Sequence, residues 1–478
     1  MPMITRRTML KAGIGAALPA LAAPRAWSGP PPNIVLILAD DLGYGDIGTF
    51  GSPNIRTPRI DALAAEGLKL TCMYAEPFCG PARAAMMTGC YPIRVAEPGN
   101  TKSRHTVLHD REITLAEVLR PAGYTSAMIG KWGLGGHSNN RWRAELLPPS
   151  QGFDVHFGTP ASNDWPEDIV LLREGRMIEK APDQAALPRR YADETIEFIR
   201  SSADKPFFVY FCPNMPHVAL DASAEFRGGS PRGLYGDTIE ELDFHVGRIV
   251  DEVARLGLAD NTYVVFTSDN GPWIVKREDG GSAGPFRSGK ASAWEGGFRV
   301  PCVIWAPGRI APGRTSSEIM GLQDFFPTFA ALANAAIPSD RVIDGLDSSG
   351  FINGDSERSP RNDFAYFLWT HLQAVRQGRW KLHLPRPRDP DWVAPLTPSD
   401  HVDPEDAAAI ESPMLFDLRS DFGERYDLSR EHPDIVANLL GFAESVRADM
   451  GDYDRLGRNV RLFDPLDKRP DAPMRVPY

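Results

Sequence analysis

The run Asn33-Ile34-Val35-Leu36-Ile37-Leu38-Ala39 is apolar almost without interruption and ends in two aspartates, Asp40 and Asp41. A strand with one wet face would alternate apolar and polar residues. A continuous apolar run is what a parallel strand buried on both faces requires. Similar runs stand at 206–211 (Pro-Phe-Phe-Val-Tyr-Phe) and 262–267 (Thr-Tyr-Val-Val-Phe-Thr), with shorter ones at 124–129 and 302–305. Amphipathic helical patterns lie between them at 57–68, 115–120, 191–200 and 240–256. Strands alternating with helices imply an α/β fold, a large mostly parallel sheet sandwiched by helices. After Phe364 the pattern changes to short, closely spaced runs at 365–369, 372–376 and 380–383, with Gln377-Gly378-Arg379 as a turn. Followed by a helical pattern at 433–448, these predict a smaller C-terminal antiparallel β-sheet plus helix subdomain. The expected division is a leader at 1–28, a large α/β unit at 32–363 and the subdomain at 364–478. Residues 160–182 and the Pro- and Asp-rich stretch 385–413 read as surface loops.

The leader carries Thr5-Arg6-Arg7-Thr8-Met9-Leu10-Lys11 and then a small apolar run over 12–23. A positive segment, a short apolar segment and Ala-x-Ala-like sites make an export signal, and the paired arginines resemble the twin-arginine type. The apolar run is too short for a membrane span, so a periplasmic or secreted protein is expected. The formal net charge of −11 over 478 residues argues against nucleic acid or an anionic membrane as partner. Five scattered cysteines (Cys72, Cys79, Cys90, Cys212, Cys302) form no legible framework. A Cys72–Cys90 disulfide is one option, while Cys212 and Cys302, set in apolar runs, read as buried thiols.

In an open α/β sheet, ligands bind outside the carboxyl ends of the strands. Two strand ends here carry oxygen ligands: Asp40-Asp41 after the first strand, and Ser268-Asp269-Asn270-Gly271 after the strand at 262–267. Taken alone, Asp40-Asp41 reads more readily as a helix cap and Asp269-Asn270-Gly271 as a turn. Together they deliver several carboxylates to one end of the sheet, where the repulsion calls for a hard cation, Ca²⁺ or Mg²⁺. Between them in sequence lies Cys79-Gly80-Pro81-Ala82-Arg83 ahead of a helical run to Gly89. Proline is favoured at the first position of a helix, so Pro81 is expected to open this one. The helix start and Arg83 then make the surroundings of Cys79 favourable to a tetrahedral anion.

This Cys-x-Pro-x-Arg pattern resembles the signature of type I, formylglycine-dependent sulfatases, in the alkaline-phosphatase-like superfamily. The resemblance extends to Asn33–Asp46, to Asp269-Asn270-Gly271, to Gly130-Lys131-Trp132-Gly133-Leu134-Gly135, to Asn214-Met215-Pro216-His217, and to Phe286-Arg287-Ser288-Gly289-Lys290. It implies that Cys79 is oxidised by a maturation enzyme to formylglycine, whose hydrate is the nucleophile. It further implies one Ca²⁺ held by Asp40, Asp41, Asp269, Asn270 and the modified Cys79. Arg83 would hold the modified side chain, Lys131 and Lys290 would contact sulfate, and His217 would protonate the leaving oxygen. The substrate implied is a sulfate ester, with a sulfated carbohydrate the expected class and an aryl sulfate the alternative.

Two departures stand out. Ala82 replaces the family's usual serine, and Gly133 replaces a histidine associated with release of sulfate, leaving that role to water, to another side chain or to His137. His371 is a weak candidate for a substrate pocket. His105, His109, His156, His245, His383, His401 and His432 sit in no motif and read as structural. Two other functions stay open on the residues alone: a phosphate or phosphonate ester hydrolase of the same superfamily, and a catalytically inactive sulfated-glycan-binding protein.

Overall fold

The computed structural model describes residues 29–96, 108–136, 142–164, 166–386, 406 and 409–461. The leader at 1–28, His105, His137, His401 and most of the loop at 385–413 lie outside the described residues. In chain order the strands of the large sheet are β1 (Asn33–Ala39), β2 (Leu68–Tyr74), β3 (Thr125–Lys131), β4 (Val155–Thr159), β5 (Val170–Arg173), β6 (Arg176–Lys180), β7 (Phe207–Cys212), β8 (Thr262–Ser268), β9 (Arg299–Trp305), β10 (Arg314–Ser316) and β11 (Met320–Gly321). Their spatial order is β10-β2-β9-β8-β1-β7-β3-β4-β5-β6, with β11 beside β2. The central five, β8-β1-β7-β3-β4, are all parallel.

The strand β1 shows why its sequence had to be apolar throughout. Ile34, Leu36 and Leu38 point into one core, while Val35, Ile37 and Ala39 point into the other. Each is fully buried. At about 1.5–3 kcal/mol per large aliphatic side chain, a strand of this kind is tolerated only at the centre of a covered sheet. Helices Pro58–Glu66, Leu187–Ser201 and Gly233–Arg255 supply Leu63, Tyr191, Ile199, Leu242 and Val246 to the second core. Helix Cys79–Thr88 and helix Phe325–Leu332 cover the opposite face with Ala82, Met86, Met87 and Phe329.

Behind this sheet stands a second, antiparallel one: β12 (Asp363–Leu368), β13 (His371–Gln377), β14 (Trp380–His383) and β15 (Met414–Asp417), packed under helix Pro433–Met450. Its apolar face meets Tyr74, Tyr91 and Phe298 from the larger part, so one cluster spans the junction.

Several expectations need correction. The run at 302–305 belongs to β9, which is antiparallel to both β2 and β8. The stretch 160–182 is not a plain loop, because it contains the β5–β6 hairpin. All five cysteines are free, so Cys72 and Cys90 form no disulfide. Cys72 Sγ instead lies 3.1 Å from Arg376 Nη1, and Cys90 Sγ 3.2 Å from Arg461 Nη2. Cys212 and Cys302 are buried free thiols, as their apolar runs indicated.

Candidate active site

Register alone brings the acidic motifs together. Ala39 at the end of β1 pairs with Ser268 at the end of β8, so Asp40 and Asp269 emerge side by side. The turn after β1 is closed by backbone N–H groups that donate to side chains at the end of β8. Asp41 N donates to Asp269 Oδ1 at 3.1 Å, and Leu42 N to Ser268 Oγ at 3.0 Å. On the other side of β1, β7 and then β3 end at the same level. Lys131, the last residue of β3, donates Nζ to Asp40 Oδ2 at 2.6 Å. Lys290, on the loop ahead of β9, donates to Asp41 Oδ2 at 2.8 Å.

Cys79 is the first residue of its helix, after Phe78 in extended conformation, and Pro81 is the third rather than the first. Cys79 remains partly exposed, whereas Arg83 one turn on is fully buried. Arg83 donates Nη2 to Asp269 Oδ2 at 2.8 Å and Nη1 to the Lys131 carbonyl at 2.5 Å, tying the helix start to the turn after β8 and to the end of β3. His217, on the loop after β7, presents Nε2 3.7 Å from Asp41 Oδ2 and 3.8 Å from Asp164 Oδ1. The sequence motifs therefore converge: Asp40, Asp41, Cys79, Arg83, Lys131, His217, Asp269, Asn270 and Lys290 share one crevice. His371 does not join them, being buried against Tyr453 in the C-terminal sheet.

The electrostatics are those of a crowded ion cluster. Burial pushes the Asp40 carboxyl up, but Lys131, His217, Arg83 and Lys290 together hold it well below the ordinary range. Burial and the adjacent Asp40 push Asp269 the other way, up. Burial would lower Lys131 and Lys290, yet Asp40 and Asp41 respectively raise them, so both remain charged. Burial pushes the Cys79 thiol up, against the pull of Lys131. As a plain thiol it is protonated at neutral pH and a poor nucleophile.

The residues present fit a bound cation. Asp40, Cys79 and Asp269 can each place a ligand atom within 4.8 Å of the others. Asn270 donates its amide nitrogen to Asp41 Oδ1 at 2.7 Å and to the Gly271 carbonyl at 2.8 Å, which fixes the side-chain oxygen on the other side. That Asn270 oxygen and Asp40 Oδ1 are both buried without a hydrogen bond from the described residues. Buried oxygens left without a donor are costly. Two of them on adjacent strand ends are what an oxygen-liganded hard cation would satisfy.

Comparison with known proteins decides the family. The sulfatase family model matches residues 32–335, and the model for the C-terminal region of aryl-sulfatase matches residues 359–465. The chain belongs to the sulfatase family. It is 37% identical to the N-acetylgalactosamine-6-sulfatase of Canis lupus familiaris over 87% of this chain and 84% of that protein. It is also 37% identical to human arylsulfatase A, over 83% of each. Among solved structures it resembles the PsFucS1 sulfatase of Pseudoalteromonas (TM-score 0.75, 26% identity, 87% of this chain and 90% of that one). A protein from work on glycosaminoglycan metabolism by Bacteroides thetaiotaomicron is equally similar (TM-score 0.75, 27% identity, 88% and 100%). This sulfatase is thus a sulfuric ester hydrolase, a reading that stands over both a phosphoryl hydrolase and an inactive binding protein. No helix among its described residues is long and apolar enough to cross a membrane.

Gly133 has a local reason to be glycine in this sulfatase. Its φ of +74° is left-handed, and a Cβ there would lie 3.0 Å from Arg83 Cδ. Ala82 is fully buried among the helix-side core residues. Sequence reasoning missed Asp164, which follows β4. The five-residue strand Val155–Thr159 contains His, Gly and Thr and gives no continuous apolar signal. A carboxylate just past its end therefore had nothing to mark it.

Proposed function

We propose that this sulfatase hydrolyses sulfate esters of carbohydrates through a formylglycine made from Cys79 by a maturation enzyme, with one Ca²⁺ held by Asp40, Asp41, Asp269, Asn270 and the modified residue 79. The observation that carries the reading is the charge balance around Cys79. Three carboxylates (Asp40, Asp41, Asp269) face three cations (Arg83, Lys131, Lys290), and two ligand oxygens are left without donors. Ca²⁺ would supply Lewis-acid stabilisation of the sulfate oxygens, and the formylglycine hydrate the attacking hydroxyl. With a divalent ion added, the cluster carries excess positive charge, suited to a sulfate ester and to the charge that develops on its oxygens.

The protein's own residues divide the remaining work. Arg83, pinned by Asp269 and the Lys131 carbonyl, orients the side chain at 79. Lys131 and Lys290 lie within reach of the sulfate oxygens, each kept protonated by a buried aspartate. His217 holds its Nδ1 against the Val218 carbonyl. This fixes the ring and leaves Nε2 to give a proton to the departing ester oxygen. The catalytic unit is assigned to residues 32–363 and the supporting subdomain to 364–478. The leader at 1–28 is read as a twin-arginine-type signal for export to the periplasm or medium. Carbohydrate is favoured because relatives include an N-acetylgalactosamine-6-sulfatase.

The test is sulfate release by protein produced in a host that matures sulfatases, coupled to the mass of the peptide containing residue 79. Turnover of sulfated sugars with formylglycine at 79 is expected, and turnover lost on substituting Cys79 by alanine. Full activity with an unmodified cysteine would sink the mechanism.

A further inference from the structure

The proton donor assigned to His217 has a second carboxylate beside it, and the two acids differ in kind. Asp41 is buried and already engaged by Lys290 and Asn270. Asp164 is 23% exposed in its side chain, against 3% for Asp41, and approaches the same imidazole nitrogen. Its Oδ2 accepts from the Ser162 hydroxyl, while Oδ1, 3.8 Å from His217 Nε2, has no hydrogen bond to a described residue. The segment bearing it is fixed to the His217 loop. Asn163, between Ser162 and Asp164, donates Nδ2 to the His217 carbonyl at 3.2 Å and to the Ala219 carbonyl at 3.1 Å. β4 thus ends in a short segment that sets a carboxylate against the catalytic histidine.

An ionised carboxylate only accepts hydrogen bonds. In a crevice built to attract an anion, placing one at the edge is useful only if it meets a donor. With Asp164 Oδ1 3.8 Å from His217 Nε2, a leaving oxygen bonded to that nitrogen can have its neighbouring hydroxyl within hydrogen-bond reach of the carboxylate. We propose that Asp164 is a specificity-determining residue of this sulfatase, accepting a hydrogen bond from a hydroxyl of the leaving group next to the ester oxygen that His217 protonates. It selects polyhydroxylated leaving groups over aryl ones, and it rests on the sulfatase mechanism proposed above. An aryl sulfate offers no such donor and would cover the carboxylate without a partner, which a polar site penalises strongly.

The experiment compares matured wild-type protein with Asp164→Asn and Asp164→Ala on p-nitrophenyl sulfate and on a panel of galactose and N-acetylgalactosamine monosulfates. The best sugar is paired with its analogue lacking the hydroxyl beside the sulfated carbon. Asp164→Ala is expected to lower kcat/KM for the sugar ester by about 10- to 100-fold, and for p-nitrophenyl sulfate by less than about threefold. The deoxy analogue should lose a similar factor with wild type and little more with the variant. Asp164→Asn, nearly isosteric and a weaker acceptor, should fall between and report on the site where the alanine variant folds poorly. Equal losses on sugar and aryl esters would overturn the proposal, showing that Asp164 acts on His217 or the fold instead. An undiminished sugar rate in both variants would also overturn it. Failure of the underlying mechanism shows separately, as a wild-type protein that releases sulfate from no ester.

Discussion

Asp40 and Asn270 each keep one buried oxygen without a hydrogen-bond donor among the described residues, at the ends of neighbouring strands. Ca²⁺ bound there would stabilise the fold by mass action, by about 2.7 kcal/mol at a hundredfold excess over Kd. Thermal unfolding of the wild type should therefore shift upward with added Ca²⁺ and downward with chelator. Asp40→Asn should abolish most of the shift, and a shift of undiminished size would remove Asp40 from the ligand set. Gly133 makes a second residue-scale prediction. Gly133→Ala should cost about 1–2 kcal/mol in urea unfolding, from the left-handed backbone and the push on Arg83. At this scale the sequence was informative because the residues are contiguous in motifs. Asp40-Asp41, Cys79 to Arg83, Lys131, His217, Asp269-Asn270 and Lys290 were all legible and all meet. Asp164 was not, since nothing next to it in the chain carries its chemistry.

β4 illustrates the element scale. His156, on that strand, is fully buried. Its Nδ1 accepts from Gly175 N at 3.3 Å, and Nε2 has no partner among the described residues. Burial holds its pKa down at about 3, against an ordinary 6.5. A histidine depressed in the fold contributes stability that is intact above pH 6.5 and lost as pH falls toward 3, because the unfolded chain takes up the proton first. His156→Asn should flatten the fall in unfolding free energy across that window by up to about 1.4 kcal/mol per pH unit, read by urea titrations at several pH values. An unchanged slope would mean that the ring is already hydrated in the fold. The long apolar strands β1, β7 and β8 could be read directly, whereas β2, β4 and the β5–β6 hairpin could not. β2 mixes Lys69 and Thr71 with apolar residues, and β6 is an exposed edge strand, so neither carries the signal of a strand covered on both faces.

The whole molecule is held at its junction by a buried charge cluster. Lys381 of β14, fully buried, lies 3.0 Å from Glu295 Oε1 and 2.9 Å from Glu424 Oε1. Tyr74 donates to Glu295 from the end of β2 at 2.6 Å, and Tyr366 from β12 at 3.0 Å. The C-terminal sheet is thereby bound to the segment that follows Lys290. Lys381→Met would remove the cation shared by Glu295 and Glu424, leaving Arg299 3.4 Å from the one and His383 2.7 Å from the other, and should cost about 3–5 kcal/mol in chemical denaturation. A loss below about 1 kcal/mol would show that the cluster neutralises itself by taking up a proton.

By itself the sequence determined the α/β architecture, the antiparallel C-terminal addition and the identity of nearly every group in the crevice. Those depend on local composition: unbroken apolar runs that only a covered sheet accepts, and motifs whose residues are neighbours in the chain. The tertiary structure decided the rest. Strand register set which acid faces which lysine, β9 turned antiparallel, and Cys72 and Cys90 were each placed beside an arginine instead of each other. Asp164 was brought to His217 by the pairing of β4 beside β3. Each of these is a relation between segments far apart in the chain, fixed by how whole strands pack and pair, so no single stretch of sequence encodes it.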